Sequence, residues 1–261
     1  MPYFSAVVFV LGVCAGSFLN VLIDRLPKGE TVTRGRSHCD HCKKTLRWYE
    51  LIPLISYLVQ GGRCRRCRKP LSAAYPVTEL VTGIGFAAVF WATGGTESLT
   101  ALVPLLRLTG SLIIFSSLLV ITGADLKYYI IPDVMVISGF AGAGLMVLPA
   151  ADPVNLMTRV FTGLAAGTFF YALRAITRGR GMGLGDVKLA LLMGFLTGYP
   201  GIVMALYAAF LTGALVSVIL VIGGRHSLQS IVPFGPFLIL GTASALIWHQ
   251  AFLIWWKGFI P

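Results

Sequence analysis

Residues 189–224 read LALLMGFLTGYPGIVMALYAAFLTGALVSVILVIGG, and no side chain in this run is charged. A bilayer core about 30 Å thick is crossed by roughly 20 apolar residues in a helix. The run is long enough for two such helices, and Gly198-Tyr-Pro-Gly201 is typical of the turn that would divide them. The sequence therefore predicts two membrane helices joined by a short turn.

The rest of the chain has the same character. Hydrophobic residues make up 56% of the sequence and charged residues 12%, with a mean hydropathy of +0.82. A soluble domain has about 25% charged residues, so this composition excludes a soluble globule, and it excludes disorder still more firmly. We expect an all-α polytopic membrane protein with about eight transmembrane helices, at residues 3–23, 76–96, 103–124, 134–149, 159–176, 184–198, 201–222 and 234–255.

Positive charge is concentrated in one polar segment. The net charge is +11, and twelve of the 21 Lys and Arg residues lie between Arg25 and Lys69. No nucleic-acid-binding signature accompanies this charge, so we expect membrane lipid as a partner and no nucleic acid. The positive-inside rule places the segment in the cytoplasm, where eight spans also put residues 124–133, 174–188 and 223–232, with both termini outside. The first apolar run has no basic n-region, so we expect a retained helix rather than a cleaved signal.

Four of the five cysteines form two C-x2-C pairs in this segment: Cys39, Cys42, Cys64 and Cys67. Two such pairs can complete a tetrahedral zinc site. Two disulfides are the alternative, which the reducing cytoplasm disfavours, and His38 and His41 are competing ligands. We expect a structural Zn²⁺ in a small zinc-ribbon-like cytoplasmic domain between helices 1 and 2. The predicted domains are a first helix (1–23), the four-cysteine domain (24–75) and a transmembrane helical core (76–261).

Two acids stand at the predicted cytoplasmic ends of apolar helices. Asp125 begins the sequence DLKYYIIPD, which ends at Asp133, and Asp186 lies in GMGLGDVK at residues 181–188. Ionisable residues in such positions are functional candidates. The alternate glycines around Gly183 and Gly185 disfavour a helix and allow an extended chain to approach closely.

Two neighbouring aspartates can share one proton, so that one takes a proton from water while the other donates to a carbonyl oxygen. An ion or proton relay between the same residues is the competing interpretation, and residue chemistry alone does not decide between them. Asp133 has a simpler explanation as a favourable charge at a helix start, and Lys188 as a residue that reaches the membrane interface.

The chain resembles the type IV prepilin peptidases, which are bifunctional leader peptidases and N-methyltransferases of type IV pilus and type II secretion systems. The two aspartate motifs, about 60 residues apart, are specific in combination. The resemblance covers nearly the whole chain, through the motifs at residues 16–27, 36–42, 47–57, 62–67, 75–80, 125–133 and 183–188.

The resemblance implies that Asp125 and Asp186 form a catalytic pair, supported by Gly183, Gly185, Lys188 and Asp133. This pair would cleave prepilins or pseudopilins after the glycine that ends a short basic leader, in the bacterial inner membrane at its cytoplasmic face. The enzyme would then methylate the new N-terminal residue with S-adenosylmethionine, and the four-cysteine domain favours this bifunctional type.

Methyl transfer is less easily assigned to residues. Glu79 and Asn20 are candidates, with interhelical hydrogen bonding as the alternative role for both. The alternative function for the whole chain is a proton- or metal-coupled transporter, whose acids would be expected near mid-membrane rather than at helix ends.

Overall fold

The computed structural model describes residues 2–33, 35–39, 41–150, 152–179, 181–223, 232–248 and 254. Within these residues the regular structure is helical, with short 3₁₀ turns and two isolated β-bridges. The α-helices are α1 (Pro2–Arg25), α2 (Ile55–Val59), α3 (Ala74–Ala92), α4 (Leu102–Tyr128), α5 (Asp133–Val147), α6 (Pro153–Ile176), α7 (Leu184–Thr197), α8 (Gly201–Ile222) and α9 (Gly235–Ile247).

The prediction of an all-helical membrane protein is confirmed. Each of the eight predicted spans overlaps a helix, and α1, α3, α4, α6 and α8 are long and apolar enough to cross a membrane. The other three are shorter than predicted: α7 has 14 residues and reaches only about 21 Å. The predicted last span, 234–255, corresponds to Gly235–Ile247 in α9, and most of its remainder lies outside the described residues.

The chain divides into two compact units, Met1–Val120 and Ile121–Pro261. In the first unit, α1 and α3 pack closely because glycines face the contact. A Cβ atom added at Gly16 would lie 2.7 Å from the Cα of Glu79, and one added at Gly12 would lie 2.8 Å from the carbonyl oxygen of Thr82. Small residues four positions apart allow this backbone approach in membranes, where no hydrophobic force drives helices together.

The second unit uses the same device twice. A Cβ at Gly194 of α7 would lie 2.7 Å from the Cα of Gly163 of α6, and Gly241 of α9 lies directly against the carbonyl of Ala205 on α8. Helix α7 contacts α5, α6, α8 and α9, and its side chains Leu189, Ala190, Leu192, Met193 and Leu196 are fully buried. This central position fixes the start of α7, where Asp186 lies.

Candidate active site and metal centre

Asp125 and Asp186 lie in the second unit, in the last turn of α4 and the first turn of α7. Asp125 is only 6% exposed, and Asp186 is half-buried. The two carboxyl groups are close enough for their charges to interact. The fold thus places within one compact unit two acids that are far apart in sequence.

Asp186 is held by the backbone that precedes it. The backbone N–H of Gly183 donates to its Oδ2 atom at 3.0 Å, and Gly183 has an extended conformation as the N-cap of α7. The alternate glycines were expected to disfavour a helix, yet Gly185 and Asp186 lie in the first turn of α7. The physical reason is that the aspartate at the third helical position accepts from the N-cap backbone and so stabilises the helix start.

Asp125 is held by a residue that sequence analysis missed. The backbone N–H of Gly235, the first residue of α9, donates to Asp125 Oδ2 at 2.9 Å in a buried hydrogen bond. A Cβ atom at position 235 would lie 2.6 Å from that oxygen, so the contact requires glycine. The available signal was the Gly235-Pro236 pair, since proline favours the first turn of a helix.

The start of α9 is itself anchored by an aromatic cluster. The ring of Phe234 lies 5.3 Å from that of Phe210 on α8 and 6.4 Å from that of Phe170 on α6, measured between centroids. Phe170 is fully buried. Because Phe234 precedes Gly235, these contacts from two other helices restrict where the Gly235 N–H can point.

The side chain of Ile131 packs against both Gly185 and Gly235, the glycines that lie next to the aspartates. A Cβ at Gly185 would lie 2.8 Å from the Ile131 Cβ, and one at Gly235 would lie 3.4 Å from the Ile131 Cδ1. The segment between α4 and α5 therefore packs against both aspartate-bearing regions.

Asp133 and Lys188 form an ion pair between α5 and α7. The Lys188 Nζ lies 2.7 Å from Asp133 Oδ1, and the two side chains are 42% and 62% exposed, respectively. Asp133 also lies in the first turn of α5, where its negative charge favours the helix start, as expected from the sequence. An exposed pair contributes little stability, so its main consequence is geometric: it joins the two motifs that carry the aspartates.

The four cysteine sulfurs converge in the first unit. The Sγ atoms of Cys39, Cys42, Cys64 and Cys67 all lie within 4.8 Å of one another, and those of Cys39 and Cys67 are 3.9 Å apart. Zn–S bonds of about 2.3 Å in a tetrahedron place sulfurs about 3.8 Å apart, so the arrangement fits zinc. All five cysteines are free, contrary to the disulfide alternative, and neither histidine belongs to the cluster.

The backbone around the sulfurs forms two matching turns. Cys39 N–H donates to the Lys44 carbonyl at 3.0 Å, and Cys64 N–H donates to the Lys69 carbonyl at 3.0 Å. Lys43 and Arg68 occupy the same position of each turn, with φ of 54° and 56°. Backbone N–H groups of Cys67 and Arg66 lower the pKa of the Cys64 thiol to about 7, which favours the thiolate that binds metal.

Glu79 and Asn20 both make hydrogen bonds between elements of the first unit. The Asn20 amide on α1 donates to the Tyr75 carbonyl on α3 at 3.1 Å. The buried Glu79 carboxylate on α3 accepts from the backbone N–H of Leu54 at 2.8 Å. The interhelical role considered for both residues is therefore present, because Glu79 also accepts a hydrogen bond from the Ser17 side chain of α1 in addition to its bond with the loop that precedes α2.

Two family profiles match the chain over separate regions. The profile described as Bacterial Peptidase A24 N-terminal domain matches residues 10–93, which contain the four cysteines, Asn20 and Glu79. The profile described as Type IV leader peptidase family matches residues 112–218, which contain both aspartates. No solved structure matches the chain.

Several relatives share the name prepilin leader peptidase/N-methyltransferase. The protein of Bacillus subtilis (strain 168) is 31% identical over 95% of this chain and 96% of its own length. That of Pseudomonas putida is 32% identical over 94% and 91%, and that of Myxococcus xanthus (strain DK1622) is 32% identical over 85% and 64%. With both profiles matched, and with the Bacillus subtilis and Pseudomonas putida relatives aligned over 96% and 91% of their length, the chain belongs to the type IV leader peptidase family.

Proposed function

We propose that this protein cleaves the leader peptide of type IV prepilins or pseudopilins after a glycine and then N-methylates the new N-terminal residue. The relatives' shared name supports both activities. The observation that carries the peptidase assignment is the approach of the Asp125 and Asp186 carboxyl groups within the region matched by the leader peptidase profile. The relatives give no support to the transporter alternative.

The proposed cleavage uses the two aspartates as one unit. One carboxylate takes a proton from water as the water oxygen attacks the carbonyl carbon of the scissile bond. The other carboxyl group donates its proton to the carbonyl oxygen. When the tetrahedral gem-diol collapses, the C–N bond breaks, the protonated carboxyl group gives its proton to the leaving nitrogen, and the other carboxylate takes a proton from a hydroxyl of the intermediate, so the pair again shares one proton.

Backbone groups position this pair in our proposal. The N–H groups of Gly235 and Gly183 each donate to Oδ2 of one aspartate. Gly185 supplies the space for Ile131, and the Asp133–Lys188 ion pair joins the two motifs. A backbone N–H has no side-chain rotamers to restrict. It therefore holds a carboxyl group in place with little loss of conformational entropy when substrate binds.

For methyl transfer we propose S-adenosylmethionine as the donor, whose sulfonium supplies a methyl group to the amine. Glu79 and Asn20 are the proposed contributors. The buried carboxylate of Glu79 offers a negative charge that suits either cationic participant, the sulfonium or the new N-terminal ammonium. The fit of Asn20 is more indirect, since its amide is already bound to the Tyr75 carbonyl.

We propose a structural Zn²⁺ held by the four cysteines, within a domain at residues 24–75 that precedes a helical core at 76–261. When bound, the ion would hold the two turns together, and four thiolates leave it no open position for catalysis. We further propose that this domain and the aspartates face the cytoplasm at the bacterial inner membrane. The concentration of Lys and Arg between Arg25 and Lys69 supports that orientation.

Mass spectrometry of a co-expressed prepilin tests the proposed function. Cells that contain the protein should yield a pilin that has lost its leader and gained the mass of one methyl group. Cells with an empty vector provide the control. Recovery of the intact, unmethylated prepilin beside well-expressed protein would contradict the proposal, and cleavage without methylation would remove its second half.

Loss of one zinc ligand should affect the two activities unequally. Cys64→Ser should lose zinc, increase protease sensitivity over residues 36–70, and reduce methylation more than cleavage, because both aspartates belong to the other unit. Cys14→Ser is the matched control, since Cys14 is a free cysteine on α1 outside the cluster. Metal analysis that finds no zinc in wild-type protein purified without chelators would refute the metal site.

Crowding Asp125 should reduce catalysis without unfolding the protein. Gly235→Ala places a methyl group against Asp125 Oδ2 and should lower kcat for cleavage about 100-fold with little change in KM, because small displacements of reacting groups have effects of this size.

Another glycine of the same unit serves as the control in this assay. Gly144→Ala meets only ordinary contacts and should cleave normally. Normal kcat in Gly235→Ala would show that the backbone contact does not position Asp125.

A further inference from the structure

The loop between the two cysteine pairs exposes an apolar surface. We define the apolar patch as Trp48, Leu51, Ile52, Ile55, Leu58 and Val59, which lie in or beside a 3₁₀ turn and α2. Trp48 and Leu58 are each 76% exposed and Val59 is 69% exposed. These residues lie outside the membrane-spanning helices, so lipid contact of a transmembrane helix does not explain their exposure. An apolar patch of this kind marks an interaction surface.

A hydrogen bond fixes the position of the patch along the axis of α3. The Leu54 N–H, in the middle of the patch sequence, donates to the Glu79 carboxylate at 2.8 Å. Leu54 has a φ of 59°, a conformation that a branched side chain seldom adopts and that this contact helps to hold. The loop is therefore attached to the side of α3 at a defined level.

That level lies inside the membrane boundary. Helix α3 has 19 residues and spans about 28 Å, so it needs almost its entire length to cross a core of about 30 Å. Glu79 is five residues beyond Ala74, which is about 7 Å along the axis. The adjacent Leu80 and Val81 are exposed on α3, as expected for side chains in contact with lipid at this depth.

The charges around the patch indicate which partner it meets. Five basic residues lie within seven positions just after α2: Arg63, Arg65, Arg66, Arg68 and Lys69. The guanidinium of Arg65 lies 5.4 Å from the centre of the Tyr49 ring, beside Trp48. Apolar side chains next to clustered cations suit a bilayer with anionic headgroups. A prepilin is the other apolar candidate, but its basic leader would be repelled by these charges.

We propose that residues 47–59 insert into the headgroup–acyl boundary of the bilayer that α1 and α3 cross, with the apolar patch in lipid and the flanking basic side chains on anionic headgroups. The proposal depends on α1 and α3 spanning the membrane and not on either enzymatic activity. The patch lies between Cys42 and Cys64 in sequence, so it connects the two C-x2-C pairs. Its insertion would therefore hold the metal centre at the membrane surface.

Fluorescence of Trp48 in the full chain tests this insertion. Trp48 is retained, and the other four tryptophans (Trp91, Trp248, Trp255 and Trp256) are changed to Phe. The protein is placed in nanodiscs of phosphatidylcholine and phosphatidylglycerol, with or without bromine on the upper acyl chain. Bromolipid should strongly reduce Trp48 emission, and aqueous iodide should have little effect.

Matched variants separate insertion from general damage. Leu58→Glu with Val59→Glu should reduce quenching by bromolipid and increase quenching by iodide, whereas Gln60→Glu adds charge beside the patch and should change neither. Cleavage of a prepilin should persist in both, which separates this inference from the proposed function. Strong iodide quenching of Trp48 with none by bromolipid would overturn the proposal, as would protection that appears only when a prepilin is added.

Photo-crosslinking repeats the test on wild-type protein. A phosphatidylglycerol with a diazirine on its upper acyl chain should label peptides that contain residues 48–59. Labelling confined to the transmembrane helices would contradict the insertion, whatever the behaviour of the tryptophan variants.

Discussion

The hydrogen bond from the Gly235 backbone N–H to the buried Asp125 carboxylate is the contact on which the proposed active site depends. A carboxyl group at the end of a membrane helix needs a donor, because burial removes its hydration. Here the donor comes from a helix start more than a hundred residues away, and it reaches the oxygen only because residue 235 has no side chain. The aromatic contacts of Phe234 and the packing of Ile131 maintain that approach.

Sequence patterns predicted the features of this protein that depend on residues close together in the chain. Apolar runs identified the helices, and the C-x2-C spacing identified cysteines whose sulfurs converge, since each pair shares one short turn. The two aspartate motifs could be singled out because only six of the ten acidic residues lie outside residues 24–50. Residues as far apart as Asp125 and Gly235 form no local pattern, so sequence analysis missed their contact. The end of α9 at Ile247 was also missed, because the apolar run continues past that residue.

Some sequence interpretations singled out the right residues but gave an incomplete description of their contacts. The glycines before Asp186 were expected to disfavour a helix, but the carboxylate caps the start of α7 through the Gly183 N–H, and Gly185 lies within that helix. Asp133 and Lys188 each had a separate explanation, and the structure pairs them. Glu79 was considered for interhelical bonding or methyl transfer; it bonds to Ser17 of α1 and also to the backbone of the loop that carries the apolar patch, which the sequence pattern did not indicate.

Whether Asp125 and Asp186 act as one catalytic unit, as proposed, can be measured by a double-mutant cycle in single-turnover prepilin cleavage. Asp125→Asn and Asp186→Asn should each reduce the cleavage rate by roughly 10³-fold or more, and the double variant should be little worse, because residues that act together are strongly non-additive. Asp152→Asn, at the N-cap of α6 where asparagine is equally suitable, is the control and should cleave normally. Near-normal cleavage by either single variant in folded protein, or multiplication of the two losses in the double variant, would contradict the claim.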